Sequence, residues 1–332
     1  MKRFSFLFFA LLLSFVCPAQ KKIFNRYAME LDVNVDSLTG KNRYSVRPIF
    51  IPLLAGDTPK GLNSPYKSVA PITRAEIEGV EGVSVVYKSY PDHELHLEIY
   101  RPETPERTPV VFYCHGGGWY GGKPSSMAGF AKAMCRFDDI TTVNVQYSLS
   151  VQDGITAEDA IDDFMDAIEY VRSHAAELNI DPDRLGFIGH SAGGHLAAVV
   201  ALKCPQAKVM VGWAGVYNFN THRSLDEFRD PENQYYGPSQ RYFHNFAPEA
   251  LARVSPVNMI PSDHKVAFQL FYGTCDRHVA TDQPEEFGRK LMDAGFKVDM
   301  QRYLYYSHYL HFRTDRSREV WEKTRKFVRD NL

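Results

Sequence analysis

Residues 185–202 run Leu-Gly-Phe-Ile, then Gly189-His190-Ser191-Ala192-Gly193, then a stretch dominated by alanine, valine and leucine. The apolar run before the pentapeptide suits a buried strand, and the stretch after it suits a buried helix. A G-x-S-x-G sequence at such a junction forces a strained strand-to-helix turn, and only glycines let the flanking backbone come so close. The turn exposes the serine hydroxyl at the carboxyl end of its strand. The helix start beneath it puts positive dipole where negative charge would develop. Ser191 is therefore the candidate nucleophile.

The rest of the chain supplies a scaffold for that turn. From Val80 onward short strand patterns alternate with helical ones. Residues 83–87 and 95–100 alternate in polarity and are joined by Pro-Asp-His-Glu, which predicts an antiparallel pair. Residues 110–114 form a continuous apolar run, as a strand covered on both faces requires. Further strands are expected at 140–145, 184–188, 209–213, 266–272 and 298–303. Helices are expected at 125–136, 159–178, 192–202, 285–294 and 317–329. In the second of these, Ile161, Phe164, Ile168 and Val171 recur at helical spacing. Such alternation predicts an α/β fold, a mostly parallel sheet with helices on both faces. In such sheets sites gather beyond the carboxyl ends of the strands. The alternation lapses at about 217–263, an aromatic-rich insertion read as a cap over the site.

Three other segments reach that edge. His115-Gly116-Gly117-Gly118-Trp119 follows the 110–114 strand, and consecutive glycines can turn backbone amides inward. The amides of Gly117, Gly118 and Ala192 are the candidate oxyanion hole, since preorganised N–H groups stabilise a tetrahedral intermediate. His115 reads as a residue that ties this loop down. Trp119 reads as a substrate-binding wall or as packing. Asp276 follows a strand and a glycine turn and is the candidate acid; Asp282 is a rival deeper in the loop. His308 lies a few residues after Tyr303 and is the candidate base. His311, which precedes Phe312, competes with it. The order serine, acid, histidine is the one this chemistry uses on such sheets.

Together, His115 to Trp119, Gly189 to Gly194 and the ending at His308 resemble the HGGG-type carboxylesterases of the α/β-hydrolase fold. Within them the chain is most similar to the secreted feruloyl and acetyl esterases, with the kynurenine-formamidase-like enzymes close by. The resemblance runs from about Val80 to the C terminus. It implies hydrolysis of short-acyl or aromatic-acyl esters, including those on carbohydrates, with no cofactor and no metal. His190 stands where relatives of hormone-sensitive lipase usually carry aspartate, which weakens a lipid-esterase reading. The same triad serves amidases, formamidases and peptidases, and a silent member of the fold could be kept for binding alone.

Several features take a plain explanation. Asp159, Asp162, Asp163 and Asp166 are expected to form a solvated helix face near its N terminus. His308 and His311 lack the H-E-x-x-H helix of a zinc site. Phe219, Phe228, Tyr235, Tyr236, Tyr242, Phe243 and Phe246 line an acyl or sugar pocket, or pack the insertion against the domain. The chain has 332 residues, 44% hydrophobic, with a formal net charge of −2, so the overall charge calls for no nucleic acid partner.

The N terminus reads separately. Lys2 and Arg3 precede an almost wholly apolar run, and Cys17-Pro18-Ala19 offers small residues for cleavage. Residues 1–19 are expected to be a signal peptide, implying export to the periplasm or beyond, with a lipid anchor on Cys17 less favoured. Residues 20–75 are an N-terminal extension without a readable role, and residues 76–332 are the catalytic domain. Oligomeric state is not readable. Four cysteines remain, at 114, 135, 204 and 275, and at most one bridge is expected.

Overall fold

The computed structural model describes residues 31–35, 42–46, 70–220, 224–304, 306–312 and 314–332. The expected signal peptide lies outside them, as does most of the N-terminal extension. Two strands of that extension are described, β1 (Leu31–Val35) and β2 (Asn42–Val46), and they pair antiparallel. Their mixed polar and apolar composition gave the sequence reading no strand signal there.

The main sheet has eight strands: β3 (Val83–Ser89), β4 (Glu94–Tyr100), β5 (Thr108–Cys114), β6 (Thr141–Val145), β7 (Ile180–His190), β8 (Ala207–Trp213), β9 (Ala267–Gly273) and β10 (Val298–Tyr303). Their order is β10-β9-β8-β7-β5-β6-β4-β3. Strands β5 to β10 are mutually parallel, whereas β4 runs antiparallel to both β3 and β6. This is the expected α/β architecture.

The helices are α1 (Arg74–Ile77), α2 (Ala128–Asp138), α3 (Ala157–Ser173), α4 (Ala175–Leu178), α5 (Ala192–Lys203), α6 (Ser224–Arg229), α7 (Tyr236–Tyr242), α8 (Pro248–Arg253), α9 (Asp282–Asp293) and α10 (Ser317–Asn331). Alternate residues of β5 serve two cores, as a period of two requires. Val110, Phe112 and Cys114 pack with α3 and α5 on one face. Val111 and Tyr113 pack with α2 and α10 on the other. Helix α5 is buried along almost its whole length, which explains its lack of a polar face.

Two expected elements differ in extent. The 159–178 helix breaks at His174, where φ is −97° and ψ 18°, so it forms α3 and the short α4. The 184–188 strand is the middle of a longer one, because β7 pairs with Thr108 from Ile180 onward. The acidic face of α3 also needs correction. Asp159 closes a capping box with Thr156, and Asp162 and Asp166 are exposed, but Asp163 is fully buried. Its carboxylate accepts hydrogen bonds from the Tyr90 hydroxyl (2.6 Å) and the Ser148 amide (2.9 Å), and pairs with Lys88 at 2.8 Å. Those partners come from β3, the loop after it and the loop after β6.

All four described cysteines are buried free thiols. Burial pushes each of them above its ordinary range.

Candidate active site

The chain passes from β5 to β6 on one side of β5, then returns to place β7 on the other. The carboxyl ends of β5 and β7 thus flank a topological switch point, where the two outgoing loops diverge and leave a crevice. The loop after β5 is the glycine segment, and the turn after β7 carries Ser191.

Ser191 has φ 55° and ψ −119°, a backbone conformation that L-residues rarely adopt. Such strain costs about 1–3 kcal/mol and persists only where neighbours hold it. Here the Ser191 amide donates to the Trp213 carbonyl at 3.0 Å, and the Ser191 carbonyl accepts from His195 at 3.1 Å. Gly193 allows the first turn of α5 to press on the end of β5. A Cβ there would lie 2.2 Å from the Cys114 carbonyl oxygen and 2.4 Å from that of His115.

The glycine loop folds back on itself at Gly117, where φ is 131° and the carbonyl accepts from Tyr120 and Gly121. A Cβ on Gly116 would meet the Ser191 Cβ at 3.1 Å, so the loop lies against Ser191. The amides of Gly117, Gly118 and Ala192 take no part in the turn and loop hydrogen bonds of this region. Gly117 and Gly118 line the same cavity as Ser191, and Ala192 follows it directly, while His115 secures the loop. The His115 Nδ1–H donates to the Gly116 carbonyl at 2.9 Å, its ring stacks on Tyr147, and the Tyr147 hydroxyl donates to the His115 carbonyl. Burial holds its imidazole down to about 4.

Trp119 is 2% exposed and forms part of the cavity wall. Its ring packs among Phe219, Phe228 and Phe243. Its indole N–H donates to His195 Nδ1 at 3.2 Å, and His195 Nε2–H donates to the Val254 carbonyl at 2.7 Å. These two bonds define the neutral tautomer of His195, and burial holds that ring down to about 4. His195, which the sequence reading passed over, bolts the glycine loop, α5 and the 217–263 insertion together. Only its place one turn after Ser191 hinted at this.

Most of the insertion's aromatics pack rather than face the cavity. Phe219, Tyr242 and Phe243 are buried, and Tyr235 stacks on Tyr120 at 3.8 Å. Of the seven candidates, Phe228 alone lines the cavity.

Asp276 and His308 meet as expected. His308 Nδ1 lies 2.7 Å from Asp276 Oδ2, and their side chains are 5% and 1% exposed. Asp276 Oδ1 accepts from the amides of His278 and Val279, each at 2.8 Å. The carboxylate is thus fixed from both ends. Asp282 instead opens α9 and is exposed. His311 is buried and stacks on Trp213 at 4.9 Å, away from any role beside Asp276. His190 packs between the rings of His308 and His311, and its Nε2 lies 3.3 Å from the His308 carbonyl. Burial, then the neighbouring imidazoles, hold it well below the ordinary histidine range. It is a neutral donor there.

Ser191, His308, Gly117 and Gly118 line one cavity of about 600 Å³. Among the described residues no group of three or more His, Cys, Asp or Glu side chains is arranged to hold a metal ion.

The BD-FAE family model matches residues 97–291. This chain belongs to the BD-FAE family. The match spans the glycine loop, Ser191 and Asp276 and ends before His308. The carboxylesterase NlhH of Mycobacterium tuberculosis is 38% identical over 100 residues, which is 30% of this chain and 31% of that one. The arylesterase of Saccharolobus solfataricus is 32% identical over 111 residues, 33% of this chain and 36% of that one. The chain spans about a third of the length of the first curated relatives it matches. The esterase Est2 of Thermogutta terrifontis superposes with a TM-score of 0.61 at 23% identity, covering 77% of this chain and 92% of that one. That likeness establishes the α/β-hydrolase fold.

Proposed function

We propose that this protein is a serine carboxylic ester hydrolase that works through an acyl-enzyme on short-acyl or aromatic-acyl esters, those of carbohydrates included. The observation that carries the reading is the buried Asp276–His308 pair, whose histidine lines one cavity with the strained Ser191. The family and the esterase names of the relatives support it.

A serine hydroxyl is a weak nucleophile at neutral pH, so a base must take its proton as the bond forms. His308 is that base. Its Nδ1–H is held by Asp276, which leaves Nε2 unprotonated for Ser191, and the carboxylate stabilises the imidazolium that results. Ser191 Oγ attacks the ester carbonyl carbon, and the oxyanion accepts from the amides of Gly117 or Gly118 and of Ala192. The carbon–oxygen bond to the alcohol then breaks, and His308 returns its proton to the alcohol. Water, deprotonated by His308, attacks the acyl-enzyme and releases the acid. Residues 76–332 carry this chemistry, the 217–263 insertion caps it, and the apolar N-terminal segment directs export.

The test is hydrolysis of p-nitrophenyl acetate, butyrate and octanoate and of methyl ferulate, with Ser191→Ala as control. Turnover of short or feruloyl esters that vanishes in the variant is expected. An inactive wild type, or an active Ser191→Ala, overturns the reading.

A further inference from the structure

Among its described lining residues the cavity is charged in one sense only. Among the described residues that line it, Arg277 carries the only permanent charge, histidines stand at 190, 278, 308 and 311, and no aspartate, glutamate or lysine takes part. Arg277 is exposed, and among the described residues it forms no ion pair and no hydrogen bond. The carboxylate of the preceding residue, Asp276, has both its oxygens committed, one to His308 and the other to two backbone amides. An arginine on open surface is commonly solvated and idle. One that borders a concave site without acids raises the potential inside it and favours an anionic guest. A guanidinium also presents a planar fork that matches a carboxylate.

The chain geometry adds a direction. Arg277 follows the residue that holds His308, and the ring of its other neighbour, His278, lies 5.1 Å from that of His308. His308 is the group that returns a proton to the departing alcohol, and the segment that carries Arg277 is the one that holds His308, which favours the alcohol side of the site for the guanidinium. The oxyanion amides stand on other segments, those of Gly117 and Gly118 after β5 and that of Ala192 after β7. Building on the esterase reading above, we propose that the preferred substrates are esters whose alcohol portion bears a carboxylate, which Arg277 binds. Hydrolysis of such an ester yields the free acyl acid and a hydroxy-carboxylate.

The test compares kcat/KM for 4-acetoxybenzoate and its neutral isostere 4-acetoxybenzamide, each divided by its hydroxide-catalysed rate. At low ionic strength the wild type is expected to favour the anion by about five-fold, the yield of one exposed charge pair. The preference should shrink in 0.5 M salt, roughly as a Debye length of a few ångströms dictates. Arg277→Gln should bring the ratio close to one, Arg277→Glu should invert it, and Arg277→Lys should keep part of it. An unchanged ratio in Arg277→Gln, or no preference in the wild type, overturns the proposal. A second pair, p-nitrophenyl hydrogen glutarate and p-nitrophenyl butyrate, places the carboxylate on the acyl side. An Arg277-dependent preference confined to that pair overturns the alcohol-side assignment. Failure to hydrolyse any of the four esters refutes the esterase reading itself, a different outcome from a lost preference.

Discussion

Replacing Asp163 with alanine removes a buried carboxylate that three donors converge on. They do not suffer equally. Lys88 keeps a second partner, Asp166, at 2.7 Å, so its ammonium is not stranded. Tyr90 is partly exposed and stacked on His93, so its hydroxyl can turn to water. The Ser148 amide has no such exit, because Ser148 is fully buried and the carboxylate is its acceptor. An unsatisfied buried donor costs about 1–3 kcal/mol, and a buried ion pair broken outright costs about 3–5 kcal/mol. With Lys88 rescued, the loss should lie where these ranges meet, at about 3 kcal/mol. For a domain of this size that is a fall of roughly 6–12 °C in Tm. Urea unfolding followed by circular dichroism measures it. The exposed Asp166→Ala is the control and should cost under about 1 kcal/mol. Asp163→Ala within about 0.5 kcal/mol of wild type, or Asp166→Ala equally damaging, would refute the assignment.

Three further outcomes follow from the site. His115 and His195 are held down to about 4 by burial, below their ordinary 6.5. The unfolded chain therefore binds their protons first as pH falls, and stability should drop between about 6.5 and 4 by up to roughly 1.4 kcal/mol per pH unit per ring. His195→Gln should flatten that slope by one proton in urea titrations at several pH values; an unaltered slope contradicts it. Gly193→Ala drives a Cβ into two backbone carbonyls, so it should destabilise by about 3 kcal/mol or more and displace the glycine loop. A variant of wild-type Tm and activity would show that the contact is absent. In Asp276→Asn the amides of His278 and Val279 claim the one acceptor oxygen, which turns the new NH₂ toward His308 Nδ1 and imposes the wrong tautomer. The expected loss in kcat is about three to four powers of ten, and a loss under ten-fold would exclude Asp276 from the role.

The parts of the molecule readable from its sequence are those governed by local pattern. The apolar run of β5 and the glycine-flanked Ser191 announce a strand and a strand-to-helix turn, because burial and backbone strain dictate residue type nearby. What could not be read depends on contacts distant in sequence. Nothing around Asp163 distinguishes it from Asp162; its partners Lys88, Tyr90 and Ser148 arrive only when β3 and the loop after β6 pack on α3. His308 and His311 share a loop, and the choice between them is made by Asp276 on one side and Trp213 on the other. The insertion's aromatics are equally ambiguous in one dimension. Most fill the space between it and the domain, where Trp119 meets Phe219 and Phe243. His195 lies in an apolar helix, and its two bonds reach residues 76 and 59 positions away.

The central claim is that Ser191 is a nucleophile activated by His308. Its most direct test is to label folded protein with a fluorophosphonate and locate the adduct by peptide mass spectrometry, in wild type and in His308→Ala. The account predicts an adduct on the peptide containing Ser191 in the wild type, lost on heat denaturation and slowed by at least a hundred-fold, roughly, in His308→Ala. No adduct at Ser191, or labelling at equal rate without His308, would contradict it.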